Sequence, residues 1–165
     1  MTPPRILVAG VGNIFRGDDA FGVEVVRRLA GRAMPPGVSV IDFGIRGHDL
    51  AYAILDGYDG VILVDATHRG GPPGTLYALE LTPDELEQPG SVGTHGVDLP
   101  SVFRLVLAMG GAFPRLTLVG CEPAELGSDD EGAMGLSELV QAVVELAVLL
   151  VEAMIADALA EPARA

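Results

Sequence analysis

Three runs along this chain, residues 5–12, 60–66 and 116–120, are mainly apolar and do not strictly alternate with polar residues. Successive strand residues point to opposite faces, so a run apolar at every position needs cover on both sides. These runs therefore predict central strands of a parallel sheet clothed by helices. Residues 38–43 and 74–79 read as two further strands. Between the strands, Phe21, Val25, Val26 and Leu29 recur at helical spacing within 19–32. Residues 48–55, 97–109 and 136–159 carry helical patterns as well. Strands alternating with helices imply right-handed parallel crossovers. The expected fold is α/β: a doubly wound, mostly parallel five-stranded sheet sandwiched between helices, of the phosphorylase/hydrolase-like kind.

The 165 residues fit one domain over 1–165, with residues 161–165 expected as a frayed tail. A domain of this size buries roughly two-thirds of its unfolded surface and needs no disulfide. The lone cysteine, Cys121, could form none within the chain. The first apolar run is too short for a secretory signal. The long apolar stretch near the C-terminus is interrupted by Gln141, Glu145, Glu152 and Asp157, which points to an amphipathic helix. A cytoplasmic setting is expected. A net charge of −13 repels phosphate backbones and anionic lipid heads, so neither nucleic acid nor a membrane is an expected partner.

In open parallel sheets, ligands bind outside the carboxyl ends of the strands. Polar residues at those ends are Gly10-Val-Gly-Asn13 with Asp18 and Asp19, then Asp42, Asp65, and Cys121 with Glu122. His95 lies in the glycine-rich stretch Gly93-Thr-His-Gly96. Asp19, Asp65 and His95 suit a divalent transition metal if the topology brings them together, and three ligands leave positions open. Each also has a plainer reading: Asp19 as a helix cap or first-turn acid, Asp65 as an acceptor at a strand end, His95 as a surface residue. His68, three residues after Asp65, is an alternative ligand. A dinucleotide fingerprint is disfavoured because its third glycine would fall at Phe15. No nucleophile elbow or metalloprotease helix motif is present, and no Cys-His-Asn set is evident.

The segment Gly10-Val-Gly-Asn-Ile-Phe-Arg-Gly-Asp-Asp-Ala-Phe-Gly22 resembles the opening signature of the nickel-iron hydrogenase maturation proteases. Ile62-Leu-Val-Asp-Ala66, Thr94-His-Gly96 and Leu116-Thr-Leu-Val-Gly120 resemble that family's third-strand acidic motif, histidine loop and final strand. The family's metal-contacting positions fall on Asp19, Asp65 and His95. One departure follows strand two: an Asp-Gly-Gly-Thr-type turn is replaced by Asp42-Phe-Gly-Ile-Arg-Gly47, which bears on specificity.

The resemblance implies an endopeptidase that removes the C-terminal extension of a hydrogenase large-subunit precursor after nickel insertion. The substrate's nickel would be the recognition element, held only weakly by the free enzyme, with no nucleotide cofactor. The partner is the nickel-loaded precursor, and the enzyme is expected to be a monomer. Gly12, Asn13, Gly44, Arg46 and Gly47 are expected to border the substrate crevice, with Asp42 or Asp18 as general-base candidates. Two alternatives stay open: a non-catalytic metal-sensing scaffold, and a nucleoside hydrolase or phosphorylase relying on Arg16 and Arg69.

Overall fold

The computed structural model describes residues 2–87, 97–124 and 134–161. Strand β1 (Ile6–Val11) is buried along its whole length. It continues through a 3₁₀ turn (Gly17–Ala20) into helix α1 (Phe21–Ala30), and then come β2 (Val38–Gly44), α2 (Gly47–Leu55) and β3 (Gly60–Ala66). Next are β4 (Leu76–Leu81), a short α3 (Pro83–Glu87), α4 (Leu99–Ala108), β5 (Arg115–Cys121), α5 (Glu138–Gln141) and α6 (Val144–Ala160). The strand order is β2-β1-β3-β5-β4. All neighbours run parallel except β4, which pairs antiparallel with β5. The expected mostly parallel five-stranded sheet is the observed one.

Burial on both faces holds for β1, β3 and β5, the three inner strands. Leu7, Val61, Leu63 and Leu118 pack with Leu50, Phe103 and Val106 from α2 and α4. Val8, Ile62, Val64 and Val119 pack on the opposite face with Phe21, Val25, Val148 and Val151 from α1 and α6. At about 25 cal/mol per Å² of apolar surface, burying each such side chain contributes roughly 1.5–3 kcal/mol. β2 and β4 are edge strands and are only partly buried.

The helix ends follow local chemistry. Asp98 caps α4, accepting from the Ser101 backbone N–H at 3.3 Å and from its hydroxyl at 2.5 Å. Thr82-Pro-Asp-Glu85 forms a capping box around α3: the Thr82 N–H donates to Glu85 (2.8 Å) and the Glu85 N–H to the Thr82 hydroxyl (3.3 Å). The residue pattern predicts neither α3 nor the interruption in the last helix. That helix is divided at Ala142 and Val143 into α5 and α6. By length and apolar content alone Glu138–Ala160 could cross a membrane. Val144, Ala147, Val148, Val151 and Ile155 are instead buried in the core, while Glu145 and Glu152 pair with Arg28 of α1 and Arg32 just past its end.

A candidate active-site rim at the switch point of the sheet

From β1 the chain crosses to β2 on one side, while β3 lies on the other side of β1. The strand ends of β1 and β3 therefore flank the point where the winding reverses, the usual ligand crevice of such sheets. Asp19 arrives there from the 3₁₀ turn and Asp65 from the end of β3.

Two glycines make this approach possible. Gly12 has φ +141°, and a Cβ there would lie 1.9 Å from the Asp19 carbonyl oxygen. Gly22, in the first turn of α1, would place a Cβ 2.0 Å from the Val64 carbonyl and 2.5 Å from that of Val11. Any side chain at either position would push the loop and helix off the sheet. The close helix-to-strand contact that a dinucleotide motif would make at position 15 is made here by Gly22, and Phe15 is exposed.

Asp19 is 4% exposed and Asp65 5%. The Asn13 N–H donates to Asp19 Oδ2 at 2.8 Å, and the Asn13 side chain accepts from the Phe15 N–H at 2.9 Å, closing the loop on itself. Burial pushes the Asp65 carboxyl well above the usual carboxylate range. The Asp19 charge raises it further, and the Ala66 N–H opposes the shift only in part. The two acids proposed from sequence are thus brought together. His95 lies outside the described residues. Among the described residues no group of three or more His, Cys, Asp or Glu side chains is arranged to hold an ion.

Asp18 does something different from its neighbour. Fully buried, it accepts from the N–H of Ala124 (2.9 Å), the N–H of Ser137 (2.7 Å) and the Ser137 hydroxyl (2.8 Å). It ties the rim to the end of β5 and the start of α5. Asp42 lies on the α1 face of the sheet, with Oδ2 3.5 Å from Arg27 Nε. Gly44 has φ +54° and its carbonyl accepts the Gly12 N–H at 2.9 Å, so the turn after β2 adjoins the rim. Arg46 folds back on that turn, donating to the carbonyls of Phe43 (3.2 Å) and Asp42 and to Asp49 (3.1 Å), and Gly47 begins α2.

Glu122 organises a second polar cluster that the sequence reading marked only as a strand end. It is 3% exposed, and one carboxylate oxygen accepts from the N–H groups of Arg69 and Gly71, both at 2.8 Å, and from the Tyr77 hydroxyl at 3.0 Å. Burial alone would raise this carboxyl. The two N–H donors, Tyr77 and His68 together hold it below the usual range. Beside it Cys121 is fully buried, and desolvation, with the Asp18 and Glu122 charges, pushes its thiol up to about 12.

Sheet order, switch point and opposed carboxylates define an α/β enzyme fold with a polar rim. The hydrogenase maturation protease family matches residues 23–154 of the chain. The hydrogenase 2 maturation protease of Escherichia coli is 35% identical over 144 residues, covering 86% of this chain and 84% of that protein. The hydrogenase expression/formation protein HupD of Rhodobacter capsulatus is 34% identical over 75% of this chain, which spans 60% of that relative's length. The solved structure of the hydrogenase maturating endopeptidase HybD from Escherichia coli superposes with a TM-score of 0.76 at 33% identity, covering 93% of both chains. The chain belongs to the hydrogenase maturation protease family, as its opening motif had suggested.

Proposed function

We propose that this chain removes the C-terminal extension of a nickel-iron hydrogenase large-subunit precursor, and that it recognises nickel already seated in that precursor. The observation that carries this reading is the opposed pair Asp19 and Asp65, nearly buried and close enough for one charge to oppose ionisation of the other. A divalent cation arriving between them relieves that repulsion, and carboxylate donors suit such an ion. His95 completes the donor set in this reading. The remaining coordination positions belong to the substrate, so nickel binds firmly only when enzyme and precursor supply ligands jointly. An unloaded precursor then binds weakly, which makes metal insertion a checkpoint.

The extension lies across the rim beside Gly12, Asn13 and the Gly44 to Gly47 turn, where Arg46, folded back on that turn, adjusts client choice. The working enzyme is a cytoplasmic monomer without a nucleotide cofactor. The purified chain is incubated with nickel-loaded and nickel-free precursor, and the large subunit is weighed by mass spectrometry. Shortening of the loaded precursor alone is expected, with Asp19→Asn and Asp65→Asn folded but inactive. An unchanged mass with the parent enzyme would instead indicate a metal-sensing scaffold.

A further inference from the structure

His68, on the loop leaving β3, and Glu122, just past β5, form a carboxylate–imidazole pair that the nickel reading does not use. His68 Nδ1 lies 3.3 Å from Glu122 Oε2, the oxygen not occupied by Arg69, Gly71 and Tyr77. The two partners differ sharply in environment: the Glu122 side chain is 4% exposed and the His68 side chain 63%. His68 faces Glu122, just past the end of β5; around that carboxylate Tyr77 of β4 donates to Oε1, and Arg69 lies over the Tyr77 ring at 5.8 Å.

An imidazole whose Nδ1 sits against a buried carboxylate keeps its proton there, which fixes the ring and leaves Nε2 as a bare acceptor turned to solvent. Such a nitrogen binds a metal or takes a proton. His68 has its Nδ1 already set against Glu122 and, among the described residues, forms no three-donor group with Asp19 and Asp65, which favours the proton-accepting role. The second matches its position. His68 lies three positions after Asp65, at most about 11 Å of extended chain between their Cα atoms, which keeps the ring in the neighbourhood of a peptide whose metal is held at Asp65.

We infer that His68 is the general base for the cleavage, and that Glu122 is its positioning residue; the inference rests on the peptidase reading above. Nε2 takes a proton from water as the water oxygen bonds to the scissile carbonyl carbon. When the carbon–nitrogen bond breaks, the same proton passes from Nε2 to the departing amine. Glu122 also fixes the backbone that follows the imidazole, accepting from the N–H groups of Arg69 and Gly71.

The test uses nickel-loaded precursor under single-turnover conditions, with precursor affinity measured in parallel. A positioned base contributes about 10²- to 10⁴-fold. His68→Gln, altered at an exposed side chain, should slow cleavage at least 100-fold with affinity changed less than threefold. Glu122→Gln keeps an oxygen for the Arg69 and Gly71 N–H groups but turns an amide NH₂ toward His68, opposing the tautomer that the base needs. It should slow cleavage as well, and adding it to His68→Gln should cause no further loss. Cleavage by His68→Gln within threefold of the parent would overturn the inference, as would a loss of rate matched by an equal loss of affinity. In either case Asp19→Asn and Asp65→Asn remain inactive and the function reading stands. A parent enzyme that cleaves nothing would remove both.

Discussion

Replacing Gly22 by alanine sets two physical effects against each other with opposite signs. Helix propensity alone makes the change favourable, since alanine within a helix is better than glycine by about 1 kcal/mol. Packing opposes it. The new methyl carbon would sit 2.0 Å from the Val64 carbonyl oxygen and 2.5 Å from that of Val11, both in buried central strands. Neither is the end of a flexible side chain, so α1 must withdraw by about an ångström or more. Overpacking of this kind costs typically about 1–3 kcal/mol, and fixed backbone on the other side places it near the top of that range. The net effect is a destabilisation of about 2 kcal/mol, which for a domain of this size lowers Tm by about 4–8 °C. Because the 3₁₀ turn bearing Asp18 and Asp19 leads directly into α1, the variant should also process precursor poorly at temperatures where it is fully folded. Thermal unfolding followed by circular dichroism, with cleavage assayed well below Tm, checks both. A Tm equal to or above that of the parent would show that α1 does not press on β1 and β3 as described.

Two further outcomes follow from buried ionisable groups. The raised Asp65 carboxyl means that the folded chain holds a proton which the unfolded chain releases at the ordinary carboxylate pKa. Its contribution therefore lowers stability as pH rises from that value toward the folded one. Asp65→Asn removes the ionisation, so the variant should have a higher Tm than the parent near neutral pH, with the difference shrinking in acid; thermal scans across pH would refute this if the difference stayed constant. Cys121, with its thiol raised to about 12 and no exposed surface, should resist iodoacetamide in the native state at pH 8, and Cys121→Ala should still process precursor; alkylation before unfolding, read by mass spectrometry, would contradict the burial.

The three inner strands were legible because burial on both faces leaves its mark along β1, β3 and β5, and a neighbour in space adds nothing that the apolar run does not already say. The direction of β4 was not legible: an edge strand with mixed burial reads alike whichever way it runs, and only its register against β5 decides. Asp18 and Asp19 illustrate the same division. Side by side in sequence, both read as helix-start acids, yet one is consumed by Ala124 and Ser137, more than a hundred residues away, and the other faces Asp65. Glu122 offered no signal beyond its place after a strand, because the donors that fix it come from the loop after β3 and from β4.

What the sequence by itself determined was the layered α/β fold, the glycine-rich loop after the first strand, and the acids that could serve a metal. Those properties depend on local periodicity and on the backbone freedom of single residues. Only the tertiary structure decided which acids meet, since pairing of charges depends on strand order and on helix-to-sheet distance, both set by contacts remote along the chain. The same packing that lets α1 approach at Gly22 turns two ordinary carboxylates into a coupled pair.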